Sequence, residues 1–134
     1  MLGAIIGDII GSIFEFSEIG SIPVDFNLFE DDCDFTDDSV LTCAIADALL
    51  NNKNYTDCLI EYTKKYPNRG YGGSFKRWIL FDSRKPYNSF GNGSAMRVSP
   101  VGWAFNSLEE TLKEAMRIVF CIDLFLSLFD SSQP

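Results

Sequence analysis

The sequence contains no histidine, and its four cysteines show no C-x-x-C spacing. A zinc site of the usual kind draws its ligands from such residues, so none is predicted. We interpret the cysteines as reduced, mostly buried thiols: Cys33, Cys43, Cys58 and Cys121. Lysine and arginine are absent from Met1 to Phe14, so the basic region of a signal peptide is missing as well. We therefore expect a cytoplasmic protein.

Basic residues are scarce throughout, with 11 Lys and Arg against 19 Asp and Glu, a formal charge of -8. Such a chain repels a phosphate backbone, which argues against nucleic acid as a partner. Long apolar runs are also lacking. Ile118 to Phe129 is almost wholly apolar but is shorter than the ~20 residues of a membrane span. It favours a buried helix, and an exposed patch that mediates self-association is the alternative.

Apolar residues, in contrast, are plentiful: they make up 46% of the 134 residues, and aromatic residues make up 14%. This composition predicts one well-packed core. Apolar positions follow helical spacing and no segment alternates like a strand, so the predicted fold class is all-α. The first helix is expected to be buried on a broad face. The predicted helices cover Leu2 to about Phe16, about Asp37 to Leu50, Thr56 to Tyr66, Lys76 to Phe81, and Ser107 to about Phe129.

Two adjacent carboxylates, Asp37 and Asp38, follow Thr36 at the start of the second helix. Thr36 is a natural N-cap, and acidic residues in a first turn complement the helix dipole. The alternative is a divalent cation, because Mg²⁺ and Mn²⁺ prefer oxygen ligands. Asp32 and Asp34 lie just upstream and make the local field more negative, which favours the cation.

The first helix carries glycines every fourth residue, at Gly3, Gly7 and Gly11. This stripe would let another backbone or a ligand approach closely. Asp8 and Glu15 are seven residues apart, close to two turns, so they are predicted to share a face near the stripe. They are candidates for a general base and an orienting group, and the alternative is a solvated helix face.

Two glycine-rich stretches follow, NRGYGGSF at 68–75 and PYNSFGNGSAMR at 86–97. Neither has the Walker pattern of a P-loop. Gly91-Asn92-Gly93 precedes a short helical stretch, which would place backbone N–H groups where a phosphate or ribose could bind. A tight turn with no ligand is the alternative.

Taken in order, the segments GAIIGDIIGSIFEF, FTDDSVLT, YPNRGYGGSFKRW and PYNSFGNGSAMRVSPVGW resemble the ADP-ribosylglycohydrolase family. These all-α hydrolases remove ADP-ribose from modified proteins or related conjugates. The resemblance covers residues 1–115, the N-terminal portion of the family's orthogonal helical bundle. Residues 116–134 are interpreted as a divergent apolar tail, so the chain is expected to be a C-terminally truncated member.

The resemblance implies a binuclear Mg²⁺ or Mn²⁺ centre that binds ribose hydroxyls beside the scissile glycosidic bond. By this resemblance Thr36, Asp37, Asp38 and Glu15 are metal ligands, and Glu15, Asp37 and Asp38 are catalytic. Arg97 matches the family without an assigned role. The resemblance also implies two ADP-ribose-binding loops, which comprise Gly70, Gly72, Gly73, Ser89, Phe90, Gly91, Asn92 and Gly93.

The family's second metal motif, Asp-x-Asp followed by Thr or Ser, is not found after Ala115, where Asp123 and Asp130 stand alone. The expected function is therefore an ADP-ribosylglycohydrolase whose metal site this chain supplies only in part, acting on ADP-ribose or ADP-ribosylated protein. The alternative is a non-catalytic helical module that binds ADP-ribose or assembles with itself.

Overall fold

The computed structural model describes residues 1–18, 22, 25–87, 89 and 91–122. These residues form seven α-helices and no strand, which confirms the all-α prediction. None of the helices in this described part is long and apolar enough to cross a membrane. In chain order the helices are α1 (Leu2–Gly11), α2 (Asp37–Asn51), α3 (Tyr55–Lys65), α4 (Gly73–Leu80), α5 (Gly93–Met96), α6 (Val101–Ala104) and α7 (Leu108–Phe120).

The core is built on α2 and α3. The side chain of Thr36 caps α2 as predicted, accepting a hydrogen bond from the Asp38 N–H at 3.3 Å. Both helices lie within one residue of their predicted ends. The apolar face of α2 is buried, apart from Leu49, which is half-buried. Its members are Val40, Leu41, Ala44, Ile45 and Ala48.

Aromatic rings extend this core toward α4. Tyr71 stacks on Phe75 and Phe75 on Trp78, each with ring centroids 5.7 Å apart. The indole N–H of Trp78 donates to the Lys85 carbonyl at 2.8 Å, which satisfies its polar atom within the fold. Because Tyr71 and Phe75 flank Gly72 and Gly73, their burial anchors the first glycine loop at the edge of the core.

Helix α7 begins as predicted but ends early. Ser107 Oγ accepts from the Glu110 N–H at 3.2 Å, as its capping pattern indicates. The helix ends at Phe120, and Ile122 lies in the turn that follows. The Ile122 carbonyl accepts a hydrogen bond from the Tyr87 N–H at 2.7 Å. The prediction of a continuous helix to Phe129 is therefore wrong.

The apolar run Ile118 to Phe129 is only partly described. Ile118 and Ile122 are buried, which agrees with a buried segment rather than an exposed patch over that part. Residues 123–129 lie outside the described residues, so self-association through this run stays a prediction.

Helix α1 begins at Leu2 as predicted, but it ends at Gly11 instead of about Phe16, and it is not buried on a broad face. No residue of α1 is fully buried, and Leu2 and Ile6 are 73% and 46% exposed. The reason is that α1 packs mainly on α2, so its apolar residues have few described neighbours. The glycine stripe is also open, since a Cβ at Gly3, Gly7 or Gly11 would meet no atom within 4 Å.

The prediction of mostly buried cysteines is also wrong. Only Cys58 is buried, while Cys33, Cys43 and Cys121 are half-buried, although all four are free thiols. The pattern of apolar neighbours did not distinguish partial from complete burial.

The polar contact between α1 and α2 is made by Asp8. Its Oδ2 accepts from the backbone N–H groups of Thr36 at 2.9 Å and Ser39 at 3.1 Å, and its Oδ1 accepts from the Thr36 hydroxyl at 2.5 Å. Backbone N–H groups in the first turn of a helix have no partner within it. Asp8 therefore acts as a second cap for α2, supplied by a different helix.

Replacement of Asp8 tests this contact. We expect D8A to lower the free energy of unfolding by about 1–3 kcal/mol, because it removes these acceptors from N–H groups near the start of α2. D8N should cost less, because an amide oxygen still accepts from backbone N–H groups. Urea unfolding measures both, with the exposed Asp31→Ala as control. A D8A loss no larger than that of D31A would contradict the capping role.

Candidate active site

The segment that carries Thr36, Asp37 and Asp38 is held on both sides. Besides the Asp8 contacts, the Asp37 N–H donates to the Arg69 carbonyl at 2.6 Å. The Arg69 guanidinium lies 3.7 Å from the centre of the Phe35 ring and pairs with Asp34. These contacts therefore fix the orientation of the first turn of α2, which carries Asp37 and Asp38.

Glu15 reaches the same place from the other side. It lies in a turn after α1 and a 3₁₀ turn over Ser12–Phe14, so the prediction that it shares a helix face with Asp8 is wrong. A Cβ placed on Gly70 would lie 3.3 Å from Asp37 Oδ1 and 4.0 Å from both carboxylate oxygens of Glu15. Asp37 and Glu15 thus converge on Gly70, whose φ of 90° is a conformation that favours glycine.

These carboxylates line one open cavity of about 610 Å³. Its acidic residues are Asp8, Glu15, Asp37 and Asp38, and no basic residue stands among the described residues that line it. Gly7 and Gly11 of the glycine stripe also line it. The stripe thus borders the acidic groups as predicted, and within the described part of the chain no other segment comes within 4 Å of a Cβ placed on its glycines.

Burial and like charge raise the pKa of Asp37 to about 6, with partial burial the larger cause and Asp38, Glu15 and Asp8 the repelling charges. Burial, followed by Asp8 and Glu15, also raises the pKa of Asp38. Each carboxylate makes ionisation of its neighbours costlier. A bound cation would remove that cost, because it would supply the positive charge that the described lining residues of this cavity do not provide.

The donor set suits a hard cation such as Mg²⁺, because it consists of carboxylates and a hydroxyl. Thr36 Oγ1 donates to Asp8 and accepts from Asp38, which leaves one lone pair for a ligand. Asp8 is already engaged as a cap, so of the two roles predicted for Asp8 and Glu15 its geometry suits the orienting group and not the general base. Among the described residues, however, no three His, Cys, Asp or Glu side chains stand close enough to enclose an ion.

The glycine loops line a second cavity of about 290 Å³. It adjoins the acidic cavity, because Asp37, Gly72, Asn92 and Met96 border both. The predicted binding residues that line this second cavity are Gly72, Gly73, Ser89, Gly91, Asn92 and Gly93. Gly70 lines only the acidic one, and Phe90 lies outside the described residues.

The second glycine loop uses one of its own donors. Ser89 Oγ accepts from the Gly91 N–H at 3.2 Å. The prediction that Gly91 to Gly93 offer their backbone N–H groups to a ligand therefore does not hold for Gly91.

The structure assigns positions to two residues whose part sequence reasoning missed. Arg97 is only 2% exposed and lines the glycine-loop cavity. The sequence signal that could have indicated this position is the spacing of four residues between Gly93 and Arg97, because residues four apart lie next to each other on one face of a helix. Asp8 as a cap for α2 had no local signal, since its partners lie 28 and 31 residues away.

Replacement of Asp37 by Asn tests the electrostatic cost in metal-free buffer with EDTA. The folded state raises the pKa of Asp37 from 3.8 to about 6, so the charged form destabilises it and stability falls as pH rises through this window. The free energy of unfolding of D37N minus that of wild type should therefore increase from pH 4 to pH 7. Urea unfolding at each pH gives this difference.

Asp47 supplies a control of opposite sign. Hydrogen bonds from Lys53 and Asn51 lower its pKa from the ordinary value of 3.8, so the stability that its charged form supplies is present at neutral pH and is lost as pH falls below about 5. D47N should therefore be less stable than wild type by a nearly constant amount from about pH 5 to pH 7, and the difference should shrink at lower pH. A D37N difference that does not change with pH, or that falls as for D47N, would contradict the assignment.

The profile of the ADP-ribosylglycohydrolase family matches residues 1–121. Similar curated proteins are named ADP-ribosylhydrolase ARH3. The one from Danio rerio is 29% identical over 84% of this chain and 38% of its own length. Those from Gallus gallus and Mus musculus are 24% and 30% identical, over 86% and 60% of this chain and 41% and 27% of their own.

The chain thus spans about two fifths of the length of the relatives from Danio rerio and Gallus gallus. No solved structure matches the chain. The family profile covers the acidic cavity, both glycine loops and Arg97 together. The chain belongs to the ADP-ribosylglycohydrolase family.

Proposed function

We propose that this chain binds the ADP-ribosyl group and forms part of a hydrolase site that cleaves the glycosidic bond of an ADP-ribosylated protein or related conjugate. The observation that carries the proposal is the pair of adjoining cavities, one acidic and one lined by glycine loops, which meet at Asp37. The ribose next to the scissile bond would occupy the acidic cavity, and the rest of ADP-ribose would lie along the glycine loops.

Thr36, Asp37, Asp38 and Glu15 are the residues that would hold Mg²⁺ or Mn²⁺. When bound, such an ion would orient and polarise the ribose hydroxyls beside the reacting carbon. Asp37 and Asp38 keep their direction through the contacts of the N-terminal turn of α2. Asp8 is a positioning residue, because it acts through Thr36 and Ser39.

Glu15 is the proposed general base. It is exposed and faces Asp37 across Gly70, so its carboxylate can take a proton from a water molecule as that water attacks the sugar carbon. The water oxygen forms the new bond to carbon, and the electron pair of the broken glycosidic bond goes to the leaving group. The proton taken by Glu15 can then pass to the leaving group or to solvent, which restores the carboxylate. This assignment agrees with the role that the family resemblance implies.

A second candidate function is ADP-ribose binding without cleavage. It is favoured by the absence, among the described residues, of three ligand side chains close enough to enclose an ion. Under this alternative the glycine loops still bind ADP-ribose, while the acidic residues bind an ion weakly and through water.

Mn²⁺-dependent release of ADP-ribose from a modified peptide tests the hydrolase proposal. We expect release by wild type and a loss of roughly 100-fold in D37N, because several kcal/mol of metal-dependent stabilisation would be removed. D47N on the same helix is the matched control and should remain active, because Asp47 lines neither cavity. No release by wild type, or equal release by D37N, would contradict hydrolysis.

Calorimetry with ADP-ribose, with and without Mn²⁺, separates the two candidates. Binding together with peptide cleavage supports the hydrolase. Saturable binding without any cleavage supports the binding module, and we expect that binding to persist in D37N when Mn²⁺ is absent. No binding under either condition would contradict both.

A further inference from the structure

Among the described residues that line the glycine-loop cavity, Arg97 is the one that carries a positive charge. This side chain is 2% exposed and lines the cavity. Its Nη1 lies 3.3 Å from the position that a Cβ on Gly93 would occupy. The guanidinium is therefore directly beside the second glycine loop, at a point where glycine leaves room for it.

The charge balance around the two cavities makes this position informative. Among the described residues that line them, Arg97 is the single basic one and four are acidic. The whole chain carries a formal charge of -8. An anionic ligand therefore meets repulsion from most directions, and a guanidinium stays protonated in proteins at all ordinary pH values.

The second glycine loop does not supply the full complement of donors that its sequence suggested. The Gly91 N–H is already bonded to Ser89 Oγ. α5, which follows, is only four residues long, so its dipole is small. A buried, permanent charge acts more strongly than these partial charges, because little water screens it.

We propose that Arg97 is the group that offsets the negative charge of a diphosphate in the glycine-loop cavity, and so selects ligands that carry phosphate over the bare nucleoside. This inference rests on the proposed function, because it names the residue that lets an acidic site hold an acidic ligand. From its position beside Gly93, Arg97 attracts the diphosphate electrostatically, and it takes no part in bond cleavage.

The test compares binding of three ligands by calorimetry: ADP-ribose, ADP and adenosine. We expect Arg97→Met to weaken ADP-ribose and ADP by about tenfold or more, the loss expected for one interaction with a charged group. Adenosine should change by less than about threefold, because it carries no charge. Arg97→Lys keeps the charge and should retain the preference for ADP over adenosine. Gly102→Ala, with no atom within 4 Å of the new Cβ, is the control.

A purely structural role would give a different result, because loss of the cavity's shape weakens all three ligands alike. Equal losses in R97M, or no loss, would overturn the proposal. If R97M does not melt cooperatively, R97K decides: a lost preference for ADP over adenosine overturns it, and a retained preference supports it. If wild type binds ADP but not ADP-ribose, the result contradicts the proposed function but still supports the role of Arg97 in binding phosphate. Wild type that binds neither would overturn both.

Discussion

The candidate site depends on one carboxylate, that of Asp8, which joins the first helix to the start of the second. It accepts from two backbone N–H groups and one hydroxyl across a gap of about 30 residues. Because α1 buries none of its residues completely, this contact and a few apolar neighbours are what hold it against α2. The same hydrogen bonds direct the turn that carries Asp37 and Asp38. The same hydrogen bonds therefore attach α1 to α2 and orient the acidic residues.

The acidic cavity is costly for the folded protein without a ligand. Partial burial and three neighbouring carboxylates raise the pKa of Asp37, and no basic residue among the described lining residues relieves the repulsion. Proteins keep such unfavourable charge clusters mainly where a ligand compensates for them. The adjoining cavity has a different character, because glycines and the charged side chain of Arg97 line it. Under the proposed function, the hydroxyl-rich ribose of the ligand would lie in the acidic cavity and its anionic diphosphate would lie beside Arg97.

Local signals in the sequence predicted much of the fold. Thr36 and Ser107 mark the starts of α2 and α7, and both caps are observed. Helical spacing alone could not show that α1 would stay largely exposed, because burial depends on which other elements pack against a face. Nor could it show that α7 would end at Phe120, since that end involves a contact of Ile122 with Tyr87. For the site, Asp37, Glu15 and the glycine loops were predicted and do line adjoining cavities. Asp8 as a cap and Arg97 as a buried charge arise from contacts made only in the folded chain.

The central claim is that the first turn of α2, held by Asp8, presents Asp37 and Asp38 with Glu15 to a divalent cation. Titration of the protein with Mn²⁺, with free Mn²⁺ followed by electron paramagnetic resonance, tests it most directly. The account predicts saturable binding by wild type, abolished when Asp37 and Asp38 are both replaced by Asn, and unchanged when Asp31 and Asp47 are replaced. No saturable binding by wild type, or equal binding by the D37N/D38N variant, would contradict it.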